Sequence, residues 1–367
     1  MTSALRQVLH HGLRIRRWRA IDHDWAARHK LVYLNNPLYA TPCSSDVERA
    51  HLDLWKPIGR RPKMDTLRIC ANISGRLDIR IVPEELFACE VEDALRPATW
   101  AATVAHKSLY GRFFPQQLFP RSFLHRINGE YYDSGLTIVP TDEAARLARG
   151  LPYPVIVKPN WGSSGGVGVS IAATEKDLLG ELAVRSDCVV QEYLYQHPYF
   201  QQFNSSGINS VRLYTYRSPQ SGRVHILNHA LRMGKGGSLD NETAGGIVCY
   251  FADGGRLNMY AVDKYGRKYM DHPDTNICFA DATPVPSLGN LYEIAIALSN
   301  TIPIRLAGWD FCMDLEGRWR CLEVNVQGNT IRFSQYAGIP FFGDLTEEVI
   351  ECCRLRGSPP LTWTRSD

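Results

Sequence analysis

The sequence predicts an α+β protein with a mainly helical N-terminal region, and three observations carry that prediction. Helical and strand segments are grouped along the chain rather than strictly alternating, which argues for α+β units over one doubly wound sheet. Four strand-like segments with alternating apolar residues crowd the stretch 210–263: "SVRLYTYR", "RVHILNHALRM", "GGIVCYF" and "LNMYAVD". Upstream, a lysine-bearing strand runs into "GSSGGVG" (162–168), a loop in which four of seven residues are glycine.

Residues 1–65 read as helical and basic, with Arg and Lys clustered in "LRIRRWRAIDHDWAARHK" (13–30) and turn signals in "WKPIGRRPKM". Residues 66–110 read as loop, short strand and helix, followed by a second helix carrying Lys107. "RFFPQQLFPRSF" (112–123) has two prolines and reads as a connector. "DEAARLARG" (142–150) has helical spacing and a glycine stop. The strand–loop–strand "VIVKPNWGSSGGVGVSIA" follows, then a helix near 175–185 and the apolar strand "CVVQEYL" (188–194). After the β-rich stretch, a helix is expected at 288–301. "LAGWDFCMDL" and "RWRCLEVNV" then form an antiparallel hairpin across "EGR", and a last helix covers 344–356. The expected organisation is a helical region 1–103, a unit 104–190 with the Gly-rich hairpin, and a unit 191–367.

A chain of 367 residues is expected to fold around more than one core. A net charge of +3 is too mild for a nucleic-acid protein, and no run of apolar residues is long enough to span a membrane. Ten cysteines lie scattered without a C-x-x-C pair, which fits free buried thiols and a cytoplasmic setting. His225 and His229 would share one face of a regular strand, too far apart for one metal.

The glycine loop resembles neither a P-loop, where the lysine follows the last glycine, nor a dinucleotide fingerprint, where a helix follows. It reads as a hairpin tip whose backbone N–H groups approach phosphate, with Lys158 as a charge beside it. Further on, Glu323 and Asn325 stand at i, i+2 on one strand face, and Asp310 joins that face if the two strands pair. Two carboxylates and an amide oxygen suit Mg²⁺.

The order of Lys107, "VIVKP", the Gly-rich hairpin, "VVQEYL", "NSVRLYTY", "ALRMG", "GWDF" and "LEVN" resembles the ATP-grasp superfamily. "LDIRIVPEELF", "HKSLYGRFF", "SSGGVGV" and "FNSSGINSVRLYT" resemble, more narrowly, the sugar-transfer-associated ATP-grasp family. The resemblance covers roughly residues 70–355, with "LRP" (95–97) standing where the family pattern leads to "LN". It implies the ATP-grasp fold, in which two α+β subdomains clasp ATP. Lys107 and Lys158 would hold the α- and β-phosphates, under a lid of Gly162, Ser163, Ser164, Gly165, Gly166 and Gly168. The backbone of Gln191, Tyr193 and Leu194 would meet adenine, with Glu192 near adenine or ribose. Asp310, Glu323 and Asn325 would bind Mg²⁺, and Arg212 and Arg232 would stabilise charge on the transferring phosphoryl group. Asn209, Asn241 and Arg332 are candidates for substrate contact. The implied reaction is ATP-dependent ligation of a small-molecule or peptide carboxylate to an amine through an acyl-phosphate. The alternatives are an ATP-grasp small-molecule kinase and a non-catalytic nucleotide-binding partner. A homodimer is compatible with all three.

Overall fold

A computed structural model describes residues 3–96, 98–162, 166–238, 240–241 and 244–356. Two antiparallel sheets organise it. The first contains β1 (Ser122–Ile127), β2 (Glu130–Asp133), β3 (Ile138–Val139), β4 (Val155–Pro159), β5 (Ser170–Ala172) and β6 (Cys188–Glu192), in the order β3-β2-β1-β6-β4-β5. The second contains β7 (Ser210–Arg217), β8 (Val224–Met233), β9 (Ile247–Phe251), β10 (Leu257–Val262), β11 (Lys268–Tyr269), β12 (Leu306–Met313) and β13 (Trp319–Asn325), in the order β11-β10-β9-β8-β7-β12-β13.

Most strands of the second sheet follow the sequence reading, and side chains on β7 alternate between two cores. On β7, Val211 and Leu213 join an apolar core with the helix Leu288–Asn300, while Tyr214 faces the opposite core. In the first sheet, Leu124, Val155, Val157 and Val190 pack with Ala144 and Ala148 of the helix Thr141–Arg149. Leu178 and Leu182 of the helix Glu175–Val184 complete that core. The latter helix starts at a reciprocal cap, in which Thr174 and Asp177 satisfy each other's backbone N–H groups.

Four features depart from the sequence reading. β1 and β2 occupy a stretch read only as connector and gap; they join at Asn128-Gly129, both at positive φ, the pair that a tight hairpin favours. The stretch from 66 to 110, expected to open with a loop, opens instead with the helix Asp65–Ser74, which Gly75 ends in the left-handed conformation. The short strand expected in the same stretch does not form among its described residues. Finally, β6 runs through Glu192 and pairs with both β1 and β4, so a boundary at 190/191 would cut a central strand.

The N-terminal helices do not stand apart. Leu67, Ile69, Cys70 and Ile73 pack with Ala230, Val248, Tyr250 and Tyr260 of the second sheet. Trp55, Leu86 and Phe87 pack with Tyr214, Tyr216, Phe341 and Phe342. The helical region therefore covers the face of the second sheet that also carries Arg212, Arg232 and Asp310.

That interface buries ionisable groups. Glu84 and His29 are almost fully buried, 3.9 Å apart, with Arg332 nearby. Burial pushes the Glu84 carboxyl up to about 8 and the His29 imidazole down to about 4. Both are therefore neutral near pH 7. A carboxyl whose folded pKa is raised contributes stability below its unfolded pKa and loses it as pH rises through the folded value. Glu84 on its own should accordingly lower the melting temperature between about pH 4 and 8, while the depressed His29 works the other way below its ordinary value. Glu84→Gln, which mimics the protonated form, should flatten that limb; parallel melting curves across this range test it. All ten cysteines are free thiols. Among the described residues, no helix is long and apolar enough to cross a membrane.

Candidate active site

Three groups converge between the two sheets. The first is Lys107, in the short 3₁₀ turn Lys107–Leu109. Its place is fixed by Asn160, whose carbonyl accepts from the Lys107 N–H at 3.3 Å and whose side chain accepts from Ser108 Oγ at 2.6 Å. His125 of β1 holds Ser108 at 2.9 Å, and Asn160 donates to Asp187 at 2.7 Å. Sequence reasoning missed this Ser108–Asn160–His125 set; Asn160, two residues after Lys158 where the hairpin leaves β4, was its only visible signal. Behind it, the Val324 N–H donates to the Tyr110 hydroxyl, joining the same segment to β13.

Lys158 lies on β4 opposite Val189. Burial lowers its pKa, Glu323 opposes that, and Lys107 adds to the lowering. The Lys107 ammonium reaches Glu323 Oε1 at 2.8 Å. Two lysines from the first half thus face one carboxylate from the second.

The loop between β4 and β5 is the predicted hairpin. Ser163, Ser164 and Gly165 lie outside the described residues. Gly162, Gly166 and Gly168 all sit at positive φ. At Gly168 a side chain would also meet the Pro159 ring at 2.8 Å, so this glycine is required twice over. Gly168→Val should cost about 1–3 kcal/mol through backbone strain and overpacking, read as a lower urea midpoint.

The third group lies on the second sheet. β12 and β13 pair antiparallel with Asp310 opposite Glu323, and Asp310 also lies opposite Arg212 of β7. Directly opposed residues share a face, so Asp310, Glu323, Asn325 and Arg212 project together. Arg212 grips both Asp310 oxygens, through Nε and, at 2.9 Å, through Nη2. Arg232 Nη1 adds a bond at 3.1 Å, and Asn325 Nδ2 stands 3.3 Å from Oδ2. Burial would raise the Asp310 pKa, but Arg212 and then Arg232 outweigh it and hold the carboxyl at about 2. Asp310 is ionised at any ordinary pH. Among the described residues no three His, Cys, Asp or Glu side chains cluster as a metal site. The available donor set is two carboxylates and one amide oxygen, all hard, which fits Mg²⁺ with water and phosphate completing its shell.

Other expected site residues are placed less uniformly. Gln191 pairs with Ser122 on one side and Ile156 on the other, and its side chain turns to Pro120 and Ser122. A central strand consumes its backbone groups, so Tyr193 and Leu194, beyond the end of β6, are the residues of this segment left to meet a base. Glu192 accepts from the Arg121 N–H at 2.8 Å and pairs with Arg320. Arg320 also donates to the Phe119 carbonyl at 2.6 Å.

The structure places the three substrate candidates in different surroundings. Asn209 is fully buried, and its amide donates to Gln196 Oε1 and to the carbonyls of Phe200 and Asn204 at 2.8–2.9 Å. It organises its own loop and has no donor left for a ligand. Arg332 is buried with its guanidinium 5.6 Å from the Trp25 ring centre and does not line the space beside Arg212. Asn241 caps a turn, its carbonyl accepting from Ala244 and Gly246 at 3.0 Å; Glu242 and Thr243 beside it lie outside the described residues. The His225/His229 pair is corrected. His229 lies opposite Leu213 and His225 opposite Tyr216, so the two face opposite sides of the sheet.

Residues 178–342 match the sugar-transfer associated ATP-grasp family. The ATP-grasp match is narrower than the sequence resemblance and includes Arg212, Arg232, Asp310, Glu323 and Asn325, while Lys107 and Lys158 lie before it. No curated protein matches the chain. Among solved structures, the chain is similar to the ATP-bound carboxyaminoimidazole ribonucleotide synthase from Aspergillus clavatus at 12% identity. That alignment covers 64% of this chain and 48% of that one, with a TM-score of 0.41. The ATP-grasp ligase PsnB in complex with its minimal precursor is 15% identical, over 70% and 63% of the chains, with a TM-score of 0.39. The biotin carboxylase domain of the Hydrogenobacter thermophilus 2-oxoglutarate carboxylase is 14% identical, over 71% and 47%, with a TM-score of 0.42. The chain thus spans about half to under two thirds of these structures.

Proposed function

We propose that this ATP-grasp protein is an ATP- and Mg²⁺-dependent carboxylate–amine ligase. The observation that carries the reading is the Asp310 cluster. A buried, permanently ionised carboxylate held by two arginines stands beside Glu323 and Asn325 on one face, with two lysines facing Glu323. Such a constellation does little covalent chemistry but is well suited to stabilising charge during phosphoryl transfer.

In this reading Lys107 and Lys158 bind the α- and β-phosphates of ATP, and the glycine hairpin covers them. Tyr193 and Leu194 present backbone groups to adenine. Asp310, Glu323 and Asn325 hold Mg²⁺, which when bound neutralises phosphate charge. Arg212 and Arg232 orient the acid and the γ-phosphoryl group. The substrate carboxylate oxygen attacks the γ-phosphorus, the bond to the β-phosphate oxygen breaks, and ADP leaves. The amine nitrogen then attacks the acyl carbon, the C–O bond to phosphate breaks, and orthophosphate departs as the nitrogen loses a proton. Product formation in natural-product, peptide or polysaccharide biosynthesis is consistent with the family description.

The test is ATP turnover against pooled amino acids, sugar acids and amines, with ADP, orthophosphate and product masses followed together. Release of ADP and orthophosphate only when acid and amine are both present supports the ligase. ADP without orthophosphate, with a product 80 Da heavier than a substrate (about one phosphoryl group), means a kinase and overturns the reading.

A further inference from the structure

The loop that leaves β13 is held from the N-terminal helical region. Glu92, in the short helix Glu92–Leu95, is almost fully buried. Its carboxylate accepts the N–H groups of Gly328 at 3.0 Å and of Asn329 at 2.7 Å, one on each oxygen. The Asn329 side-chain amide donates to the same carboxylate at 3.0 Å. With both Glu92 oxygens taking N–H donors, Asn329 turns its nitrogen to Glu92 and its oxygen away. That oxygen, Oδ1, is buried and has no hydrogen-bond partner. An acceptor left so costs about 1–3 kcal/mol, and native folds carry few of them. Because Oδ1 is closed to water, a partner for it must come from the protein itself.

Gly308 shows where the oxygen lies. On β12 this glycine stands opposite Asn325 and two residues before Asp310, so a side chain there would project beside both. None fits. A Cβ would meet Asn329 Oδ1 at 2.9 Å and the Tyr214 ring at 2.9 Å. Tyr214 itself stands where β8 carries an extra residue: Leu213 faces His229 but Thr215 faces Ile226, the mark of a bulge. The Asn329 oxygen thus occupies the place of the cross-strand neighbour that Asn325 lacks.

Asn325 has a use for such a neighbour. To present its own oxygen to a cation, it must turn Nδ2 the other way. Nδ2 now stands 3.3 Å from Asp310 Oδ2, an oxygen assigned above to the same cation. Resting on the ligase reading above, we propose that Asn329 is a positioning residue for Asn325. Its Oδ1 accepts the Asn325 amide N–H when the Asn325 oxygen faces Mg²⁺, and Glu92 holds Asn329 in place for that role. Outer partners of this kind orient a ligand and carry about 10–100-fold in metal affinity.

The test is Mn²⁺ binding to the full chain with saturating adenylyl imidodiphosphate, read from water-proton relaxation; Mn²⁺ suits the same hard oxygen ligands. Asn329→Leu should weaken Mn²⁺ binding about tenfold or more, while affinity for the nucleotide in EDTA stays unchanged. Asn329→Ser keeps both backbone bonds to Glu92 and carries the same test if Asn329→Leu does not fold, which melting curves establish. In an Asn325→Ala background neither substitution should weaken Mn²⁺ binding further, because Asn329 acts only through Asn325. Unchanged Mn²⁺ affinity in the Asn329 variants, equal losses with and without metal, or losses that add to that of Asn325→Ala each overturn the assignment while leaving the ligase reading in place. A wild type that forms no complex with Mn²⁺ and the nucleotide removes the ligase reading and this assignment with it.

Discussion

Asp310→Asn is expected to abolish ATP turnover and to destabilise the fold together. The substitution preserves shape and removes only charge. It removes the carboxylate that Arg212 and the almost fully buried Arg232 share. Breaking a buried ion pair from one side costs about 3–5 kcal/mol, because the remaining charge is uncompensated. The pH dependence gives a second signature. A depressed carboxyl contributes stability above its unfolded pKa and loses it as pH falls through the folded value. The wild type should therefore lose about 2–3 kcal/mol from this group between about pH 4 and pH 2, and Asp310→Asn should lose none of it. Urea titrations at neutral and acid pH measure both effects. Turnover within threefold of the wild type (under about 1 kcal/mol of barrier) would remove Asp310 from the proposed metal and phosphate chemistry.

Lys107→Met should act on catalysis while sparing stability. Methionine keeps most of the side-chain volume, and the abandoned Glu323 is partly solvent-exposed, so water replaces the lost partner. Loss of one preorganised charge donor costs about 10²–10³ in rate, and nucleotide affinity should fall with it. Lys107→Arg should restore part of the activity, since a cation remains. An unchanged ATP dissociation constant in Lys107→Met would show that the lysine serves the fold through Glu323 rather than the nucleotide.

How much of this could be read from the sequence depends on the range of the interaction. β7, β10, β12 and β13 were legible because alternation is local. Glu323 and Asn325 were legible as a face for the same reason, and only the partner strand had to be supplied. β1 was not, since "FLHRI" is short and its hairpin glycine lies behind two prolines that dominate the local pattern. The β8 bulge left no mark either: nothing in "HILNHAL" distinguishes an extra residue from a regular strand, and the error turned His229 to the wrong face. Asn209 looked like a pocket residue because its loop is polar. Its amide is instead spent on three backbone and side-chain acceptors that sequence spacing does not bring together. Docking of the N-terminal helices on the face that carries Asp310 is wholly long-range, with Leu67 and Val248 separated by about half of the chain.

The chain crosses from the second-sheet side to the first sheet near Phe119 and returns just after Glu192, and Arg320 holds both crossings. Mechanically this is a leaf hung on two adjacent pivots that share one pin. Two adjacent crossings tied to one guanidinium leave the first sheet fewer ways to shift against the second than either crossing would alone.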